Sequence, residues 1–299
     1  MTNAYLEQIV KFTSIGRPLD PRYPTNLAIM LYAALGGVIA GILSLISGDD
    51  FLTAVVAGIF TGGATFLAWA FAREIDPDHD LSAFVAATFA LAASLFLTPL
   101  HLLALGTLLI LTRIVNRIVG PPAKLWDTLL GVMLTTAVIF SGQWVFGLVG
   151  ILAFVMDAVL DKPLRLQWIG AGVITVAMAA YLVMNGAGEP GTLSIEYLIV
   201  VLAITVFFLI ITAMTRHVRS TSDYDDQPLN VHRIQADMLL VLAAGLVMLW
   251  HGDNGVAMML PVWAVLFGIS VYRLFHLETR DQVSIVRQDP SQSAKSDLG

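Results

Sequence analysis

Acidic residues are concentrated in one short segment of this chain, Arg73-Glu74-Ile75-Asp76-Pro77-Asp78-His79-Asp80. Carboxylates this close together repel one another unless cations or arginines share the site. Clusters rich in oxygen suit Mg²⁺, which proteins bind through carboxylates together with phosphate oxygens. We therefore predict a magnesium site that includes Glu74, Asp76 and Asp78. The alternative is a solvated connector in which Asp80 is only the N-cap of the next helix.

A second acidic pair, Asp157 and Asp161, closes a later apolar segment. Residues four apart on a helix lie on the same face, so we expect both carboxylates to point in one direction. We predict that this pair supplies further ligands to the metal ion. The alternative is that the two acids form ordinary ion pairs with Lys162 and Arg165.

Three arginines are candidates for binding phosphate oxygens. Arg113 and Arg117 are expected to share a helix face with Asn116, and Arg165 follows the second acidic pair. A guanidinium group donates two parallel hydrogen bonds to phosphate, and Mg²⁺ neutralises the remaining charge. We predict that Arg113, Arg117 and Arg165 clamp a phosphate. The alternative is that they only anchor the chain at the membrane surface.

The two acidic segments are faintly similar to the Asp-rich motifs of the intramembrane aromatic prenyltransferase superfamily. That family carries these motifs on the cytoplasmic side after its second and sixth spans. Asp76 and Asp80, then Asp157 and Asp161, stand at those places with Asp-x-x-x-Asp spacing. The Asn that opens the family's first motif is missing, Pro77 interrupts the helix, and the motifs lie closer together than in the family. We therefore assign no family from these residues.

The elements that position these residues are long apolar segments. The chain is 57% hydrophobic and only 13% charged, and its mean hydropathy is +0.80. In lipid the hydrogen-bonding groups of the backbone must pair with one another, which occurs in helices or in a closed barrel. The long apolar runs favour helices. We predict an all-α integral membrane protein, a polytopic bundle of helical hairpins. Ten spans are predicted, at 27–47, 51–72, 81–97, 100–115, 126–141, 145–160, 167–185, 194–215, 234–251 and 255–275.

The distribution of basic residues predicts the topology of these spans. All 16 Lys and Arg residues fall in the terminal segments, in even-numbered connections or at the ends of spans that border them. Connections rich in Lys and Arg remain in the cytoplasm during insertion, so both termini are predicted to be cytoplasmic. The location is then a membrane, and the plasma (inner) membrane if the source is bacterial.

The third to sixth spans are shorter than a typical membrane helix of about 20 residues. Two alternatives remain for them. They are complete short helices that thin the bilayer or sit inside the bundle, or they are two longer re-entrant elements.

The chain divides into three regions. Residues 1–26 form a cytoplasmic segment in which 4–13 could make an interfacial amphipathic helix, with a frayed start as the alternative. Residues 27–275 form the transmembrane domain, and the polar tail 276–299 is expected to be disordered. The pairs Gly37 with Gly41 and Gly58 with Gly62 are predicted to allow close helix packing.

Several kinds of chemistry are excluded. The chain has no cysteine, so disulfides, thiolate metal sites and cysteine nucleophiles are ruled out. Phosphate loops, zinc signatures and nucleophile elbows do not occur. The middles of the predicted spans carry almost no ionisable residues, which argues against a proton-coupled pump.

Three function classes remain. The first is Mg²⁺-dependent handling of a phosphorylated or isoprenoid lipid, with membrane lipid and a lipid phosphate as partners. The second is a transporter or flippase of a lipidic or weakly charged solute. The third is a structural or assembly subunit, in which the 216–233 connection could bind a protein partner, although a mobile solvated loop is the favoured interpretation. No nucleic-acid partner is expected.

Overall fold

The computed structural model describes residues 11–96 and 100–287, without the side chains of 276–287. From Pro24 onward this part of the chain folds into eleven α-helices. They are α1 Pro24–Ile46, α2 Phe51–Ile75, α3 Asp80–Ser94, α4 Leu102–Asn116, α5 Leu125–Phe140, α6 Gly147–Val159, α7 Leu166–Asn185, α8 Ile195–Met214, α9 Val231–Met248, α10 Asp253–Met258 and α11 Leu260–Arg287. Short 3₁₀ turns precede α6 and follow α9.

Five of these helices are long and apolar enough to cross a membrane: α1, α2, α7, α8, and α9 with its 3₁₀ turn. Their outer faces carry large apolar side chains that are exposed in the isolated chain, such as Leu35 on α1, Val183 on α7 and Ile199 on α8. Extended apolar surfaces of this kind are typical of helices that face lipid. The fold is therefore an all-helical bundle with at least five candidate membrane helices.

Five shorter apolar helices, α3 to α6 and the apolar part of α11, lie at the places of the other predicted spans. Buried side chains run along α4, including Leu105, Leu108 and Leu111, and α4 packs against α2, α5, α6 and α9. The short helices are thus separate elements that contribute to the interior of the bundle. That these short helices cross a bilayer completely stays a prediction.

Helix boundaries follow from local chemistry. Asp50 caps α2 by accepting hydrogen bonds from the backbone N–H groups of Leu52 and Thr53. The tenth predicted span differs from the structure because it is interrupted at Met259, between α10 and α11. Pro261 explains the interruption, since a proline ring clashes with the carbonyl four residues earlier and lacks an N–H.

Glycines bring α1 and α2 into backbone contact, as predicted. A Cβ atom on Gly37 would lie 2.7 Å from the carbonyl oxygen of Gly58, and one on Gly58 would lie 2.8 Å from that of Gly37. Gly41 and Gly62 approach the backbone of the opposite helix in the same way. The small-residue spacing therefore holds the first hairpin together.

The regions outside the bundle are only partly described. Most of the predicted interfacial helix 4–13 and the tail from 288 lie outside the described residues. Helix α11 continues to Arg287, beyond the predicted end of the last span.

Candidate functional site

A cavity of about 390 Å³ lies between the start of α1 and the C-terminal ends of α2 and α4, with residues 17–19 of the N-terminal segment on one side. We call it the arginine cavity. Its walls combine charged groups with an apolar surface formed by Phe66, Trp69 and Leu109. The charged residues that line it are Arg17, Arg73, Arg113, Glu74 and Asp223.

Helical periodicity places these side chains together. Phe66, Trp69 and Arg73 recur at intervals of three and four residues on α2, and Leu109 and Arg113 do so on α4. Residues with this spacing lie on one face of a helix. Each helix thus presents an apolar surface that ends in an arginine, and the two surfaces meet at the cavity.

Glu74 is the central acceptor of the arginine cavity. Its side chain is 2% exposed, and Arg113 Nε donates to Glu74 Oε1 at 3.0 Å. Arg17 Nη1 lies 3.5 Å from the same oxygen, and Asn116 Nδ2 donates to Glu74 Oε2 at 3.0 Å. Arg17 also contacts Asp223, and Arg113 also donates to the carbonyl oxygen of Ile15. A guanidinium group has five N–H donors, so each arginine keeps donors that can bind an anion.

The outer edge of the arginine cavity is formed by Arg17 and Asp223, whose Nε and Oδ2 atoms are 2.9 Å apart. Burial alone would lower the pKa of Arg17, but the carboxylates of Glu74 and Asp223 outweigh it and raise that pKa. Burial raises the pKa of Asp223 despite its contact with Arg17. Arg73 forms an ion pair with Asp80, but the two groups do not have the geometry of a hydrogen bond. With three arginines and two acids in its lining, the cavity favours an anionic ligand.

Trp69 leaves one donor unsatisfied at the arginine cavity. Its side chain is 7% exposed, and its Nε1 atom has no hydrogen-bond partner among the described residues. A buried tryptophan N–H usually finds an acceptor, because an unpaired one costs about 1–3 kcal/mol. The unsatisfied donor thus belongs to a residue of the cavity lining, but the Nε1 atom itself is buried.

Asp157 and Arg117, predicted for metal and phosphate respectively, contact each other. Asp157 is fully buried and accepts from Arg117 Nη2 at 2.7 Å, Arg233 Nη1 at 2.8 Å and Gln167 Nε2 at 2.9 Å. These four residues form the Asp157 cluster, which joins α4, α6, α7 and α9. Arg117 and Arg233 also donate to the carbonyl oxygens of Lys162 and Asp161, which follow the end of α6.

Two predictions of shared helix faces are wrong. Helix α6 ends at Val159, so Asp161 is outside it, and its side chain is exposed whereas that of Asp157 is buried. Arg117 adopts a left-handed conformation, with φ of 54°, at the end of α4. It consequently bonds Asp157, while Arg113 and Asn116 bond Glu74. The exposed Arg165 precedes α7.

Asp76 lies in a third group of residues, at the end of α2. Its buried carboxylate accepts from Ser82 Oγ at 2.8 Å, lies 2.9 Å from His79 Nδ1 and contacts the guanidinium group of Arg273. Burial would raise the pKa of Asp76, but the contacts with His79 and Arg273 outweigh it and lower that pKa. The carboxylate thus joins α2, α3 and α11.

Asp78 fastens the connection between α8 and α9. It accepts from the backbone N–H groups of Arg219 and Ser220 at 2.9 and 2.8 Å. Asp223 and Tyr224 donate from their backbone to the carbonyl oxygens after α4. The connection predicted to be mobile is therefore tied to two other connections. A protein partner for it stays a prediction.

We expect Asp78→Asn to loosen this connection, because the amide group cannot accept from all the donors that the carboxylate holds. The loss should be about 1 kcal/mol locally. Trypsin cleavage after Arg216 and Arg219 should then be several-fold faster, while Asp226→Asn, at an exposed position of the same connection, should leave it unchanged. Equal rates in both variants and the wild type would show that Asp78 does not hold the segment.

Sequence reasoning missed four residues of the arginine cavity and one buried acid. Arg17, Arg73, Asp223 and Trp69 were not among the residues predicted to bind a ligand. Asp237 of α9 lies inside the predicted span 234–251 and is fully buried. Its position inside a candidate membrane helix was a signal, since ionisable residues there usually have a function.

The five predicted metal ligands are divided among different groups of residues. Glu74 lines the arginine cavity, while Asp76, Asp78, Asp157 and Asp161 lie elsewhere. Across residues 11–96 and 100–275, whose side chains are described, no group of three or more histidine or acidic residues could hold a metal ion. The magnesium site stays a prediction.

Comparison of the chain with models of protein families, with curated proteins and with solved structures gives no match. The function therefore has to be argued from the site.

Proposed function

We propose that this chain is an integral membrane protein with ten spans and both termini in the cytoplasm. Five helices of sufficient length and five shorter apolar helices at the predicted places support this proposal. With ten spans, the basic connections and both termini lie on the same side, as membrane insertion favours. The arginine cavity then opens on the cytoplasmic side, in the plasma membrane if the source is bacterial.

We propose that the protein handles a phosphorylated lipid whose phosphate enters the arginine cavity. The observation that carries this proposal is a cavity in which three arginines lie beside the apolar surface of Phe66, Trp69 and Leu109. A phosphate would accept from the guanidinium groups, and Phe66 and Leu109 would contact the first carbons of the chain. The volume lies within the usual range for ligand sites, about 300–1,000 Å³.

Magnesium belongs to this proposal as a second ligand. Of the predicted metal ligands, Glu74 is the one in the cavity lining, so its carboxylate would reach a Mg²⁺ ion bound to the phosphate. The ion would offset the charge of the phosphate. The present geometry supports binding. An enzymatic step on the lipid would require a further reactive group, whose type would depend on the reaction.

The test is direct binding to the purified protein in detergent. The ligands are a polyprenyl phosphate, glycerol 3-phosphate and inorganic phosphate, each with and without Mg²⁺. We expect the polyprenyl phosphate to bind most tightly, because it combines the anion with an apolar chain. Equal binding of inorganic phosphate would assign the cavity to a soluble anion instead of a lipid.

Variants connect this binding to the cavity. Arg17→Gln should weaken binding of the polyprenyl phosphate about 10- to 100-fold through loss of a charged hydrogen bond. This change leaves the Arg113 contact with Glu74 in place. Arg165→Gln is the matched control, since it removes an exposed arginine outside the cavity. Unchanged affinity in Arg17→Gln, or equal loss in Arg165→Gln, would contradict the proposal.

A second candidate function is transport of a lipidic solute, which the buried Asp237 favours, because such residues mark proton or solute pathways. Flux of a labelled polyprenyl phosphate across reconstituted vesicles would distinguish transport from binding alone. A structural or assembly subunit, the third class, should show neither binding nor flux.

A further inference from the structure

Asp237 is a buried acid that contacts no cation in the described part of the chain. It lies in the second turn of α9 and is 0% exposed. Its Oδ2 atom accepts from Asn116 Nδ2 at 2.9 Å, and its Oδ1 atom has no hydrogen-bond partner in the described part of the chain. A neutral amide is therefore the only donor that the structure shows for this carboxyl group.

The charged groups on the helices around Asp237 do not compensate it. Helix α2 contributes a second acid, Glu74, which bonds the same nitrogen of Asn116. Helix α8 carries no titratable residue after Tyr197, and Asp253 of α10 bonds Ser194 at the opposite end of the bundle. The arginines with described side chains in or next to α4, α9 and α11 contact other acids, in the pairs Arg113–Glu74, Arg117–Asp157, Arg233–Asp157 and Arg273–Asp76.

An ionised carboxylate in such a place is very unfavourable. Moving a lone charge out of water costs far more than one hydrogen bond returns, and the group becomes neutral instead. The negative charge of Glu74 across Asn116 adds to the penalty. Because Oδ2 accepts from Asn116, Oδ1 is the atom that would carry the proton.

We propose that Asp237 is a proton-binding site, coupled to the arginine cavity through Asn116 and Glu74. The proton site stands on the burial and contacts of Asp237 alone, whereas the coupling rests on the proposed function. An anion in the cavity adds negative charge near Glu74, which disfavours ionisation of Asp237. Reciprocally, the protonated form of Asp237 binds the anion more tightly than the ionised form.

Infrared spectroscopy tests the proton site directly. A protonated carboxyl group gives a carbonyl stretch that a carboxylate lacks. We expect this band in the wild-type protein near neutral pH, its loss in Asp237→Asn and its retention in Asp226→Asn, which alters an exposed acid. If Asp237→Asn does not fold, Asp237→Glu should shift the band. A wild-type spectrum in which no such band depends on residue 237 would overturn the proposal. Stability of the protein that depends on Na⁺ would also overturn it, because the carboxyl group would then bind a cation instead of a proton.

The coupling is tested by binding the polyprenyl phosphate at about pH 6 and about pH 9, between which a buried acid would titrate. Wild-type affinity should fall about tenfold at the higher pH. Asp237→Asn, which stays neutral, should show only the pH dependence that comes from the second ionisation of the phosphate itself, at about pH 6, and Asp226→Asn should behave like the wild type. An equal fall in Asp237→Asn would refute the coupling. If no phosphate binds at either pH, the proposed function fails, while the infrared result still decides the proton site.

Discussion

Replacing Asp157 with asparagine should destabilise the protein by about 3–5 kcal/mol, the usual cost of removing one partner from a buried ion pair. The variant would leave Arg117 and Arg233, 6% and 4% exposed, without a negative partner. Both guanidinium groups also hold carbonyl oxygens beyond the end of α6, so their release should loosen the joint of four helices. Unfolding of the purified protein by heat or by denaturing detergent would measure the effect.

Asp161→Asn is the matched control for this prediction. Its exposed side chain can change without cost, and the backbone oxygen that Arg233 binds is retained. We expect a change within about 0.5 kcal/mol, as for most surface substitutions. The comparison also separates two roles of the acidic pair. Equal losses in both variants that disappear without Mg²⁺ would favour the metal ligands predicted from the sequence and contradict the ion-pair role.

Enlarging Gly37 or Gly58 should separate the first two helices. A Cβ atom at either position would stand under 3 Å from a carbonyl oxygen of the opposite backbone, and backbone cannot move aside as a flexible side chain does. We expect Gly37→Val and Gly58→Val each to cost about 3 kcal/mol, at the upper end of overpacking effects. Reduced thermal stability and a lower yield of monodisperse protein would measure this.

Gly106→Ala provides the control for the glycine substitutions. Gly106 is also inside a helix, α4, but a Cβ atom there would meet nothing within 4 Å. Alanine favours helix over glycine by about 1 kcal/mol, so this variant should be neutral or more stable. If Gly37→Val were equally neutral, the close contact between α1 and α2 would be refuted.

The helices and the first hairpin followed from local patterns. Apolar runs located ten helical elements, and the spacing of Gly37, Gly41, Gly58 and Gly62 indicated the close pair. Both signals depend on neighbours in sequence or on helical periodicity, which tertiary packing does not alter. The break before Pro261 was not predicted, although the sequence contained its signal, since proline beyond the first turn disrupts a helix.

The partners of the charged residues could not be predicted in this way. Glu74, Asp76 and Asp78 are neighbours in the chain, yet their carboxylates contact Arg113, Arg273 and the backbone at Arg219 and Ser220. A carboxylate bonds whichever donor the packing of distant helices brings near, at separations of 39 to 197 residues. Spacing along one helix carries no information about that choice.

The sequence by itself determined that the chain is helical and apolar and that its basic residues lie in alternate connections. These properties depend on composition and on the periodicity of apolar residues. Only the tertiary structure decided which acids are paired, that Trp69 has an unsatisfied donor and lies beside three arginines, and that Asp237 contacts no cation among the described residues. The physical reason is that pairing and burial depend on contacts between remote segments, whereas helix formation depends on adjacent residues.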